Sequence, residues 1–219
     1  MPTKLRAPIA AAATLLLSLA LLPGAARAEE PTTQVRVVTS MGDFVIEVRP
    51  ERAPLTAPNF LRYVKEGFYT NTLIHRVVPN FVLQGGGHDA KTMDLKPTHE
   101  SIVNESGNGL QNKRGTVGLA RSTAPHSGNA EFYVNLVDNP DLDPVSTRWG
   151  YAVFGRVVQG MDVIDKIGET PTGAVGPFKQ DAPLKPIIIQ SMTIVAPTAS
   201  QPAAQPVTPA EPQKILSPK

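Results

Sequence analysis

Arg76 stands beside His75 in an otherwise apolar run, Leu73 to Val78, and a charged group on such a strand needs a partner or a task to offset its burial. Strict alternation puts Leu73, His75 and Val77 on one face and Ile74, Arg76 and Val78 on the other. A few residues on come Phe81, Val82 and Gln84, then Gly85, Gly86 and Gly87, which mark a place where the backbone bends sharply or another group comes close. With Glu131, these residues offer a fixed cation, a carboxylate, an amide and an imidazole.

Several chemistries are excluded at once. With no cysteine there is no thiolate nucleophile, disulfide or cysteine-based zinc site. Four histidines are available for a hydrolase, but no serine lies in a Gly-x-Ser-x-Gly elbow. His75 and His88 with Asp89 fit no ligand spacing, so neither a metal nor another cofactor is expected. The glycine triplet leads into a polar loop and not a helix, so it is no phosphate cradle. What remains is a binding cleft with one cation and several hydrogen-bonding groups. His75 reads as a structural hydrogen bonder in it.

The elements that must position these groups are mostly strands. Runs 34–39 and 44–48 flank the turn sequence Ser40 to Asp43 and form a hairpin. Thr56 to Lys65 is helical, with Phe60, Leu61 and Val64 at 3/4 spacing, Pro58 in the first turn and Gly67 as the stop. Two short strands flank Val78-Pro79-Asn80, and His88 to Gln111 is a long polar loop of the kind that borders a site. Further strands are expected at 116–120, 132–136, 151–158 and 186–195, with a second helix over Gly160 to Ile167 and a Pro/Gly-rich connection after it. About eight strands and two helices without a βαβ rhythm predict a mainly β fold, a closed or nearly closed barrel capped by helices.

Both ends of the 219-residue chain stand apart from this pattern. Lys4 and Arg6 precede an apolar run from Ile9 to Leu22, Pro23-Gly24 breaks it, and Ala26-Arg27-Ala28 suits a signal peptidase, so residues 1–28 read as a cleavable export leader. Its about fourteen apolar residues fall short of the roughly twenty that span a bilayer, so no stable membrane insertion is expected after cleavage. Removing three basic residues leaves 18 basic against 19 acidic ones, a net charge of −1, which argues against nucleic acid as a partner. Residues 29–196 form the expected domain, and the Pro/Ala-rich stretch 197–219 has too little to bury and is expected to be disordered.

His75-Arg-Val-Val-Pro-Asn-Phe-Val-Leu-Gln-Gly-Gly86 resembles the signature of the cyclophilins, the cyclosporin-type peptidyl-prolyl cis-trans isomerases. Asn108 to Arg121, Glu131 to Asp143 and Tyr151 to Ile167 continue the resemblance in order, so it covers roughly Gln34 to Val195. It implies a closed eight-stranded antiparallel barrel with two helices, and rotation about the peptide bond before proline as the activity. Arg76 would be the catalytic group, stabilising the twisted amide. Phe81 and Val82 would wall a proline pocket with Phe132 and Tyr133 near it, and Gln84 would bond substrate backbone. Ala120 and Arg121 would offer main-chain groups to an extended peptide, with Leu142 and Tyr151 at the floor and rim.

The chain departs from the family where Glu131-Phe132-Tyr133 replaces Gln-Phe-Phe, where Gly87 replaces an Asp, and where Asp141 replaces an aromatic that contacts cyclosporin in sensitive members. A carboxylate at 131 is placed to pair with Arg76, occupying it or orienting it. The expected partners are proline-containing unfolded or flexible polypeptides, met by a periplasmic monomer that assists the folding of exported proteins. The competing reading is a weakly catalytic or non-catalytic peptide-binding chaperone module on the same barrel.

Overall fold

The computed structural model describes residues 33–196, so the leader and the tail expected at the two ends lie outside the described residues. Strand β1 (Thr33–Thr39) turns tightly into β2 (Gly42–Val48), pairing Gln34 with Glu47 and Thr39 with Gly42. Val35, Val37, Phe44, Ile46 and Val48 of this hairpin are buried in the core, and Arg36 pairs with Asp43 on the exposed side. Helix α1 (Thr56–Lys65), strands β3 (Thr72–Val78) and β4 (Val82–Asp89), then β5 (Thr116–Leu119), β6 (Phe132–Asn135) and β7 (Val153–Gln159) follow. Helix α2 (Met161–Gly168), a hairpin of β8 (Thr172–Val175) and β9 (Phe178–Pro183), and β10 (Ile187–Val195) complete the order.

Eight strands close into an antiparallel barrel in the order β1-β10-β3-β4-β6-β5-β7-β2. The barrel is filled by aromatic and branched side chains. Phe60 of α1 reaches into it with ring centroids 4.9 Å from Phe154, 5.5 Å from Tyr69 and 5.9 Å from Phe132. Helix α2 contributes Val163, Ile164 and Ile167 to the same core.

The first turn of α1 has no side-chain cap of its own, since its N-cap residue is Leu55. Glu105, from the long polar loop, supplies the acceptor instead. Its carboxylate takes hydrogen bonds from Leu55 N at 3.0 Å, and from Thr56 N and Thr56 Oγ1 at 2.7 Å each. A negative group at the positive end of a helix, satisfying two otherwise orphaned N–H groups, ties that loop to the barrel. Glu105→Ala is expected to lower stability by about 2 kcal/mol, measured as the shift in urea midpoint at unchanged slope.

Two expectations need correction. The Pro/Gly-rich connection after α2 contains the β8–β9 hairpin, turning at Gly176 with φ of +54°, and β9 lies against β3. The alternation along β3 is also broken. Ile74 pairs with Gly85 and Arg76 with Gln84, so His75 is one extra residue on β3, a bulge. Ile74 and Val77 therefore share the core face, where strict alternation would separate them. Gly85 makes the bulge fit, because a Cβ there would lie 2.7 Å from Leu73 O and 2.9 Å from Ile74 Cα. This is the close approach that the glycine triplet announces.

Candidate functional site

The bulge frees two consecutive residues, His75 and Arg76, from the core, and pairing across the sheet places Arg76 beside Gln84, Gln84 beside Tyr133, and Tyr133 beside Gly118. One row thus crosses four strands on the outer face of the barrel. Arg76 Nη1 donates to Gln84 Oε1 at 3.4 Å, its Nε lies 3.7 Å from Asp181 Oδ2 on β9, and its guanidinium carbon sits 5.9 Å from the Phe81 ring centroid. These contacts hold the guanidinium on three sides while its side chain remains 37% exposed.

Glu131 does not pair with Arg76. Its Oε2 accepts from Gln84 Nε2 at 2.7 Å, so the Gln84 amide is pinned, with its NH2 toward the carboxylate and its carbonyl toward the guanidinium. The expected direct pairing is replaced by a one-residue relay. The physical reason is reach: Glu131 precedes β6 and packs over Gly87, where a Cβ would lie only 2.6 Å from Glu131 Cγ. Burial raises the Glu131 carboxyl above its ordinary pKa, against the opposing pull of the Gln84 hydrogen bond and of His88.

Gln84, Gly87, Ala120, Arg121, Ser122 and Glu131 line one cavity of about 250 Å³ beside the row. A larger concavity of about 670 Å³, which shares Leu95 with the first, is lined by Asn71, residues 89–92 and 94–97, and Ile188. Ala120 N already donates to Glu131 O at 2.9 Å, so what Ala120 can offer a peptide is its carbonyl. The Arg121 guanidinium donates to the main-chain oxygens of Ser122, Trp149 and Gly150 and lies 4.3 Å over the Tyr151 ring, so it builds the cleft wall. Leu142 O accepts from Tyr151 N at 2.9 Å, which joins the short 3-10 turn Pro140–Leu142 to the same rim.

Tyr133 lies across Gly118, where a Cβ would collide with its ring, and its hydroxyl donates to buried Asn112 Oδ1. Burial pushes this phenol well above its ordinary pKa. Phe132 points the other way. Fully buried and edge-on to Phe60 and Tyr69, it belongs to the core and does not line the pocket, because successive residues of a strand face opposite sides.

His75 also differs from expectation. Its Nδ1 is buried without a hydrogen-bond partner, and its Nε2 lies 3.7 Å from Glu131 Oε2, beyond hydrogen-bonding range. Burial first, then His88 and Arg76, lower its pKa from 6.5 to about 3, so the imidazole is neutral.

A family model described as cyclophilin type peptidyl-prolyl cis-trans isomerase matches residues 34–194. The chain belongs to this family. It is 43% identical over 187 residues to peptidyl-prolyl cis-trans isomerase A of Dickeya dadantii, covering 85% of this chain and 96% of that one. To isomerase B of Escherichia coli K12 it is 48% identical over 159 residues, 71% and 96% of the two chains. A cyclophilin structure from Cryptosporidium parvum, determined in the presence of the dipeptide Ala-Pro, superposes with a TM-score of 0.65 at 24% identity, over 75% of this chain and 99% of that one. The present cyclophilin is therefore a peptidyl-prolyl cis-trans isomerase with the closed barrel of its family.

Two residues of this cyclophilin's site escape a reading by motif. Asp181 and Phe178 arrive on the β8–β9 hairpin, whose only sequence signals are Gly176-Pro177 and the β-formers around it. Asp181 sits at φ of +60°, a conformation Asn also tolerates. Asp181→Asn is expected to lower kcat/KM about two- to fivefold, through loss of a partly exposed pair contributing up to about 1 kcal/mol. A thermal midpoint alongside the kinetics separates this from unfolding.

Proposed function

We propose that this cyclophilin accelerates Xaa-Pro rotation in exported proteins as they fold in the periplasm, with Arg76 stabilising the twisted amide. The observation that carries the mechanism is the guanidinium held by Gln84, Asp181 and Phe81 on a side chain that stays 37% exposed. Resonance makes the prolyl bond planar, with a barrier of about 18–20 kcal/mol. As the bond twists, the proline nitrogen becomes pyramidal and regains a lone pair, which a preset N–H can bond in that state only. No bond is broken and no proton is transferred.

The peptide runs along the cleft past Gln84 and Ala120, and its proline ring packs between Phe81, Val82 and Tyr133, with Leu142 and Tyr151 closing the rim. The leader supports the compartment: a basic start, an apolar stretch and Ala26-Arg27-Ala28. Fractionation of expressing cells should recover the protein in the periplasm beginning at Glu29, and this protein should shorten the proline-limited phase of an unfolded exported protein. Recovery of uncleaved chain in the cytoplasm would rule out the compartment. An unaltered refolding phase would rule out the folding role.

A further inference from the structure

Besides the arginine row, the barrel's outer face carries a second group of polar side chains, joined to that row only where Glu131 accepts from Gln84. His75 from the β3 bulge, His88 near the end of β4 and Glu131 before β6 each place one donor atom within 4.8 Å of the others. Glu131 Oε2 lies 3.7 Å from His75 Nε2, and Glu131 Oε1 lies 3.7 Å from His88 Nε2. Asp89, the carboxylate adjacent in sequence, is absent from this group; it accepts from Lys91 N and Thr92 N in the following turn.

The protonation pattern is informative. His88 Nδ1 lies 3.0 Å from the carbonyl oxygen of Met93, which can only accept, so Nδ1 carries the proton. In neutral His88 the other nitrogen then turns a bare lone pair toward the Glu131 carboxylate, one acceptor facing another. A ring nitrogen fixed by a second hydrogen bond to a backbone carbonyl is the usual arrangement behind a metal-binding histidine.

We propose that His75, His88 and Glu131 form a three-ligand site for a divalent transition-metal ion of the zinc type. Two imidazoles and a carboxylate suit zinc, leaving a fourth position for water or a ligand from the cleft. Donors arranged tetrahedrally at ~2.1 Å from an ion stand roughly 3.4 Å apart. The two 3.7 Å separations, one to each carboxylate oxygen, are within a few tenths of an ångström of this, and with all three donors inside 4.8 Å the site closes on an ion by side-chain movements of about an ångström.

The surroundings are built for these three groups. Gly87 leaves the space that Glu131 fills. Phe178 covers both imidazoles, stacked on His75 with centroids 5.4 Å apart and edge-on to His88 at 4.9 Å. Gly87 and Glu131 line the cavity of about 250 Å³, giving an ion a route in. Two of the chain's departures from the cyclophilin pattern, Glu131 and Gly87, thus meet at one spot. The site does not depend on the isomerase mechanism, although Gln84 links its carboxylate to Arg76.

The test uses untagged protein freed of metal with a chelator, then titrated with Co2+ and with Zn2+. The expected result is one equivalent of Co2+ bound at micromolar or tighter affinity, with visible d–d absorption that Zn2+ abolishes. His88→Phe and Glu131→Gln should each weaken binding at least tenfold, and His99→Gln, which alters an exposed histidine paired with Glu66, should leave it unchanged. If a site variant fails to fold, imidazole NMR of the unmodified protein decides: Zn2+ should shift His75 and His88 and not His99 or His126. No binding, binding insensitive to both site substitutions, or shifts confined to His99 or His126 would each overturn the site.

Discussion

Arg76→Ala is expected to leave a folded cyclophilin whose kcat/KM on an Xaa-Pro peptide is ten- to a hundredfold lower. A hydrogen bond from a charged donor contributes about 1.5–3 kcal/mol, and each ~1.4 kcal/mol is a factor of ten in rate. The side chain is 37% exposed on the outer face of the barrel, so truncation opens no core cavity and little stability is at stake. Lys at the same position keeps the charge but loses the planar fork that Gln84, Asp181 and Phe81 hold. Arg76→Lys should therefore recover only part of the loss. A rate for Arg76→Ala equal to that of the unmodified protein, in a protease-coupled or NMR exchange assay, would remove Arg76 from the mechanism.

Acid is expected to destabilise the protein through His75. The folded state holds this imidazole neutral, with a pKa lowered from 6.5 to about 3 by burial, then by His88 and Arg76. An unfolded chain takes up the proton near its ordinary value, so it binds more protons between the two. Stability falls as pH drops through that window. Between pH 7 and pH 4 the loss from this group is about 3 kcal/mol. Glu131, with its raised carboxyl pKa, acts in the opposite sense, gaining stability as pH falls. Comparison with His75→Phe isolates the histidine: in urea unfolding with chelator present, the variant should lose markedly less between the two pH values. Equal losses in the two proteins would show that His75 is not held neutral.

The elements were largely legible because their signals are local. Helix α1 falls where 3/4 spacing, Pro58 and Gly67 put it, and the first hairpin follows from β-branched runs around a turn. What escaped depends on contacts distant in sequence. Nothing near Leu55 announces that Glu105 caps its helix, 50 residues away. The bulge at His75 is dictated by Gly85 on the neighbouring strand, so alternation alone misplaces Ile74. At the candidate site, Arg76 and Gln84 of the signature pair across β3 and β4, but whether Glu131 meets the arginine or the amide depends on how it packs over Gly87. Alternation puts Phe132 and Tyr133 on opposite sides of β6, and only the closed barrel shows that it is Phe132 that faces the core.

The seam of the barrel has a consequence for how the chain is handled. β1 pairs with β10 from Thr39 opposite Ile189 to Gln34 opposite Val195, so the sheet closes only when the first and last strands of the barrel meet. A ribosome delivers β1 first and its partner last, and β2 is the one barrel neighbour of β1 available in the meantime. The barrel cannot close before β10 is available to bridge β1 and β3, and a closing contact so far along the sequence slows folding. A protein wired in this way completes its hydrogen-bonded barrel only with the last strand of the domain in place.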